Sequence, residues 1–202
     1  MLCAGLTVYS PLVRAGTGPG KTVAIVGLGG LGHFAVMWAN ALGADVTVIS
    51  HSPSKKEDAL KLGAKEFVLS TEENWAEPLA FKFDFVLNSA DMTHTFDLTK
   101  YLSILKVGCQ FHQVGLPDYP LPEMKSQMFM SNGSSIGASH IGNRPECLAM
   151  LKLAADKKLK PMVETISISE AGCKEAVTRV KENKIKYRFT LVDYDQAFGP
   201  RD

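Results

Sequence analysis

The chain has 202 residues, enough at about 150 residues per domain for one large domain or one domain with a substantial appendage. Its 46% apolar and 21% charged composition and net charge of +1 are those of a globular protein, and with no run of one sign they exclude a basic nucleic-acid arm or a membrane-surface helix. No apolar run is long enough to span a bilayer, no signal-peptide pattern opens the chain, and Cys3, Cys109, Cys147 and Cys173 are too dispersed for a zinc clip, so a cytoplasmic protein with free thiols is expected.

Short β-branched runs alternate with stretches of helical period, the pattern of parallel strands joined by crossover helices. Thr22–Val26 is continuously apolar and bounded by Gly20-Lys21 and Gly27, as expected of a strand buried on both faces. Leu31, Phe34, Ala35, Trp38 and Leu42 then form one helical stripe ended by Gly43. Residues 46–49 predict a second strand, and Ser52-Pro53 predicts the cap and first-turn proline of a helix that stops at Gly63. Strands are expected at 67–69 and 83–87. Leu98, Leu102 and Leu105 predict a helix closed by Gly108, followed by strands at 109–114 and 135–138. Asn143 and Glu146 form a capping-box pattern for the next helix. Beyond Pro161 come a strand at 163–168, a helix with Cys173, Ala176, Val177 and Val180 on one face, and a strand at 187–192. The division expected is a doubly wound α/β Rossmann domain over 1–161 and a C-terminal segment over 162–202.

Gly27-Leu28-Gly29-Gly30-Leu31-Gly32 fits G-x-G-x-x-G and lies between a strand and an amphipathic helix, the context that makes this pattern specific for a dinucleotide. Gly27 permits the tight turn, Gly29 lets a pyrophosphate approach the backbone, and Gly32 lets the helix pack on the strand. About 20 residues on, where a carboxylate would accept the ribose 2′-hydroxyl of NAD, the chain has Ser50-His51-Ser52-Pro53-Ser54-Lys55-Lys56. Hydroxyls and cations there suit a 2′-phosphate, so NADP is preferred to NAD. Ala15 to Thr22 also fits a relaxed phosphate loop, but Lys21-Thr22 leads into a strand rather than a helix and Pro19 lacks an N–H, so an NTPase is disfavoured. The five histidines, His33, His51, His94, His112 and His140, show no metal-ligand spacing, and only His51 is placed to meet a phosphate. Asn132-Gly133-Ser134 is read as a turn rather than a glycosylation site.

The segments Met1 to Leu12, Gly27 to His33 and Tyr187 to Leu191 resemble the zinc-dependent medium-chain alcohol dehydrogenases, in particular their cinnamyl-alcohol-dehydrogenase-like, NADP-dependent branch. The resemblance implies that Leu28, Gly30 and Leu31 contact the pyrophosphate; Ser50, His51 and Lys55 the 2′-phosphate; Thr7 the nicotinamide; and Ser135, Ile136 and Gly137 its carboxamide. It implies that Arg188 reaches the cofactor from the C-terminal segment and that Cys3 is one zinc ligand of an incomplete set. No residue is assigned as catalytic. The N-terminal GroES-like domain of the family is expected to be missing, with residues 162–202 its C-terminal remnant. The implied activity is hydride transfer between NADPH and an aldehyde or primary alcohol, the truncated chain being inactive alone; a homodimer could form through the strand at 135–138. The alternative is an NADP-binding, dimerising module or pseudoenzyme without turnover.

Overall fold

A computed structural model describes residues 1–92, 96–117, 120–182 and 184–199, and His94 lies outside the described residues. The chain divides into two compact units, Met1–Leu159 and Lys160–Asp202. The first holds strands β1 (Thr22–Val26), β2 (Asp45–Ser50), β3 (Glu66–Leu69), β4 (Phe83–Asn88), β5 (Leu105–Gln113) and β6 (Ser135–Ala138). Its helices are α1 (Ala4–Arg14), α2 (Gly32–Ala41), α3 (Lys56–Lys61), α4 (Leu98–Ser103) and α5 (Arg144–Asp156).

All six strands pair in parallel in the order β3-β2-β1-β4-β5-β6. The chain therefore reverses its direction of travel across the sheet between β1 and β4, and the crevice at their carboxyl ends is the switch point where such folds bind ligands. Val23, Ala24 and Ile25 of the central strand are fully buried, which is why that strand reads as an unbroken apolar run. On one face, α2 presents Phe34 and Trp38; the Trp38 Nε1–H donates to the Gly5 carbonyl of α1 at 3.1 Å, and Tyr9 meets the indole edge-on at 5.9 Å. The other face carries a core of Phe83, Val86, Leu102, Ile104 and Phe111. Asn143 caps α5 through Glu146, each side chain bonding the other's main-chain N–H at 2.9 Å, as the capping-box pattern predicts.

Two elements differ from expectation. Leu105 is not helical: α4 ends at Ser103, and Leu105 opens β5 opposite Phe83. Gly108, with φ +73°, sits inside a strand irregularity, because Phe83 pairs with Leu105 but Phe85 pairs with Gln110; left-handed glycine here serves a bulge rather than a helix end. The helix expected at Ser52 starts as a 3-10 turn over Pro53–Lys55 before α3, and the Ser52 hydroxyl meets Ser54 Oγ at 3.0 Å instead of capping. The sequon Asn132 is buried, its Nδ2 donating to the Leu102 and Leu105 carbonyls at 2.7 and 3.0 Å beside a positive-φ Gly133; it is the expected turn.

The second unit contains β7 (Glu164–Ser167), α6 (Glu170–Lys181), β8 (Phe189–Val192) and α7 (Tyr194–Phe198). β7 and β8 form a parallel pair with α6 as the crossover. Ser169 caps α6, and Arg179 binds Glu164 at 2.6 Å while lying 4.7 Å above the Phe189 ring. Val177 and Val180 lie on α6, as their spacing predicts, and are 55% and 53% exposed. Among the described residues no helix is long and apolar enough to cross a membrane.

Candidate functional site

The switch-point crevice is built from the turn that leaves β1. Gly27 has φ +82° and donates its N–H to the Ile49 carbonyl at 2.9 Å; a methyl there would lie 2.9 Å from Ala90 Cβ. A methyl on Gly32 would lie 2.0 Å from the Gly27 carbonyl oxygen, so the first residue of α2 sits directly on the turn. Between them, a methyl on Gly29 would meet nothing within 4 Å. The turn is thus closed at both ends and open at Gly29. Ser89, after β4, braces it by hydrogen-bonding the Val26 and Gly27 carbonyls at 3.0 and 3.1 Å. Leu28 is buried, Gly30 and Leu31 are partly exposed, and among the described residues no side chain caps the start of α2. Main-chain N–H groups at such an uncapped start, with the helix dipole behind them, suit an anion.

Beside this turn lies a cleft of about 440 Å³ that reaches from Gly27 past Ser50 and His51 to Asp91 and Asp97. Ser50 ends β2, is buried, and accepts the Ser52 N–H on its hydroxyl at 3.2 Å; His51 is exposed. Lys55, half-buried at the end of the 3-10 turn, has no carboxylate within ion-pair distance among the described residues, and burial lowers its pKa. The inner wall is aromatic. Phe96 stacks on Tyr101 at 4.4 Å, Trp75 packs on Tyr101 at 4.8 Å, and burial pushes the Tyr101 phenol up to about 12. Sequence reasoning missed this wall; its residues come from three separate segments and share no spacing.

The remaining predicted residues are placed as follows. Thr7 is buried on α1 and returns its hydroxyl to the Cys3 carbonyl at 3.0 Å. Ser135, Ile136 and Gly137 lie on β6 beside Gln110, Phe111 and His112 of β5, with Ser135 exposed. Nearby, His112 hydrogen-bonds Ser139 Oγ at 2.8 Å and Asn88 donates to Gln113 at 2.6 Å. Arg188 belongs to the second unit. Cys3 is an exposed free thiol, and among the described residues no three His, Cys, Asp or Glu side chains converge so as to hold a metal. A zinc ion normally needs at least three protein ligands, so the described residues do not fit a complete zinc site. The phosphate-loop alternative fails on geometry, because Lys21 enters β1 and its ammonium is engaged by Asp84 at 3.3 Å.

A doubly wound parallel sheet with a glycine turn at its switch point, open at Gly29, defines a Rossmann-type domain. The model of the zinc-binding dehydrogenase family matches residues 30–156, and the chain belongs to that family. It is 41% identical over 201 residues to NADP-dependent alcohol dehydrogenase 6 of Saccharomyces cerevisiae, covering 98% of this chain and 55% of the yeast protein. It superposes with a TM-score of 0.86 on a cinnamyl alcohol dehydrogenase of Sorghum bicolor, at 34% identity over all of this chain and 55% of that one. The CAD of Helicobacter pylori complexed with NADP(H) gives a TM-score of 0.76 at 30% identity, covering 93% of this chain and 52% of that one. The chain spans about half the length of the relatives it matches. The Rossmann fold and the family resemblance are thereby borne out.

Proposed function

We propose that this chain is the cofactor-binding part of an NADP-dependent alcohol dehydrogenase or aldehyde reductase, which transfers hydride between NADPH and an aldehyde or primary alcohol. The observation that carries the reading is the glycine turn, open at Gly29 and closed at Gly27 and Gly32. The NADP-dependent relative and the NADP(H)-bound neighbour support the choice of cofactor.

In this reading Gly27, Leu28, Gly29, Gly30, Leu31 and Gly32 hold the pyrophosphate against the start of α2. Ser50, His51 and Lys55 take the 2′-phosphate: Ser50 stands where a carboxylate would repel it, and Lys55 supplies the cation. The half-buried ammonium, charged at a desolvation cost, gains most from such a dianion. Thr7, Ser135, Ile136 and Gly137 are assigned to the nicotinamide end, and Arg188 is assigned to the cofactor by resemblance alone. When bound, NADPH supplies the hydride; the chain's part is to bind it and orient it. Residues 1–161 form the NADP-binding domain and residues 162–202 return to a catalytic domain outside this chain. Cys3 is one ligand of a zinc site whose other donors that domain supplies. Among the described residues β6 pairs with β5 alone and leaves Ser135 and Ala138 exposed, and pairing of two such edges across a two-fold axis makes a homodimer. The free cysteines fit a cytoplasmic setting.

A second reading is an NADP-binding, dimerising module without turnover, in keeping with an exposed Cys3 that has no converging ligands among the described residues. Both predict cofactor binding by the chain; only the first predicts aldehyde reduction once a GroES-like domain is supplied. The test is titration of the purified chain with NADPH and NADH, read by nicotinamide fluorescence and thermal stability, with Lys55→Ala beside it. NADPH binding that loses its advantage over NADH in the variant supports the assignment, whereas no binding of either cofactor overturns both readings.

A further inference from the structure

His33 is fully buried in the first turn of α2, directly after the glycine turn, with its ring against Phe34 at 4.2 Å. Neither the fingerprint nor the proposed chemistry uses it. Burying an imidazole is costly unless its polar atoms are engaged, and what it engages is specific. Nδ1 lies 3.1 Å from the Gly29 carbonyl oxygen. The main-chain N–H of His33 donates to the same oxygen, also at 3.1 Å. A carbonyl oxygen only accepts, so Nδ1 carries the hydrogen in this contact. Both lone pairs of the Gly29 carbonyl are then taken by one residue.

The consequence follows from peptide geometry. In a planar trans peptide the C=O and the following N–H point in opposite directions, so fixing the Gly29 carbonyl fixes the Gly29–Gly30 plane. An added methyl on Gly29 would meet nothing within 4 Å, and a glycine pair is free to rotate that plane. Without a second donor the plane would be held by one first-turn helical bond, the kind that frays most readily.

We propose that His33 is a positioning residue of the dinucleotide site, its Nδ1–H locking the Gly29 carbonyl so that the Gly29–Gly30 peptide is set in place before the pyrophosphate arrives. This rests on the dinucleotide reading given above. The residue acts on the cofactor through the main chain and touches no reacting atom.

The test separates ring from donor in the full chain. His33→Phe keeps a ring and removes the donor, whereas His33→Asn removes the ring and keeps an amide N–H at the Nδ1 position. NADPH dissociation constants are measured by nicotinamide fluorescence, with thermal unfolding recorded for each variant. Loss of one hydrogen bond of this kind predicts roughly tenfold weaker NADPH binding in His33→Phe, largely restored in His33→Asn even where the smaller side chain lowers the melting temperature. Wild-type affinity in a folded His33→Phe, or equal loss in both variants, overturns the proposal. Nitrogen-15 chemical shifts of the His33 ring supply a readout that needs no variant: hydrogen on Nδ1 is expected, and hydrogen on Nε2 alone refutes it. If the wild-type chain binds no NADPH, the cofactor reading fails rather than this one, and the ring tautomer still tests the lock.

Discussion

The two glycines Gly29 and Gly32 lie three residues apart in one turn, yet a single added methyl should do opposite things at each. At Gly32 the methyl would sit 2.0 Å from the Gly27 carbonyl oxygen and 2.9 Å from Ser89 Oγ, against ordinary contact at 3.4 Å and beyond. The deficit of about 1.4 Å falls on backbone, with no flexible side chain to yield, so α2 must lift off β1 and disturb the packing of Phe34 and Trp38. Overpacking of this kind costs typically 1–3 kcal/mol and here the upper end, about 3 kcal/mol, applies. For a chain of this size that is a fall in melting temperature of about 6–12 °C. Gly29→Ala meets nothing within 4 Å, so its stability should stay within about 0.5 kcal/mol of wild type, while NADPH affinity falls on the order of tenfold or more because the methyl occupies the pyrophosphate's approach. Thermal unfolding without ligand and fluorescence titration with NADPH separate the two effects. A Gly32→Ala protein that melts with wild type, or a Gly29→Ala protein that binds NADPH unimpaired, would refute the assignment of roles within the turn.

Further predictions address the charged and polar supports. Lys55→Ala should reduce NADPH affinity about 10- to 100-fold, as expected for loss of a charge-assisted contact, and leave NADH affinity unchanged in the same titration. Burial opposes ionisation of Asp84, but Lys106, the Thr22 N–H and hydroxyl, and Lys21 hold its carboxyl well below the usual range. A carboxyl pKa depressed by folding stabilises above the unfolded value and is lost below it, so the contribution is complete above about pH 4 and fades as pH falls further. Asp84→Asn should therefore lower stability at neutral pH and flatten the acid limb of a stability–pH curve. Glu146 holds Ser10 Oγ, the Asn143 N–H and Arg14 together; Glu146→Ala should cost about 1–2 kcal/mol in urea unfolding, with Glu146→Gln intermediate. Asn132→Ala strips two buried carbonyls of their donor and should cost about 2–3 kcal/mol by the same assay.

Most of the first unit was legible because its signals are local. The run Val23–Val26 is apolar throughout since both faces of β1 are covered, and α2 is apolar since Gly32–Ala39 are all buried, with Trp38 bonded to α1. Asn143 and Glu146 satisfy each other's N–H groups across three residues, a contact that spacing alone specifies. Errors arose where long-range pairing overrode a local pattern. Leu98, Leu102 and Leu105 have helical spacing, but Leu105 is claimed by Phe83 across the sheet and Gly108 by the bulge that restores register at Gln110. The stripe of Val177 and Val180 does lie on a helix, α6, and is half exposed, because burial depends on what covers a face, which spacing does not encode.

The site divides along the same line. The glycine turn was readable because each requirement is met by backbone within six residues: a left-handed angle at Gly27, open space at Gly29, contact at Gly32. The aromatic wall was not, because Trp75, Phe96 and Tyr101 converge only once the segment that follows β3 meets α4 over the folded sheet, and three aromatic residues scattered over 27 positions carry no mark of a shared cleft. His33 is the instructive case between these. A search for paired histidines at metal-ligand spacing passes over it, although its partner Gly29 stands four residues earlier within the motif itself. One helical turn is the distance at which a side chain can return to a main-chain carbonyl, so the signal was present in the spacing. Reading it required asking which group holds the glycine backbone still, since a turn chosen for freedom of rotation binds a pyrophosphate well only when something nearby removes that freedom.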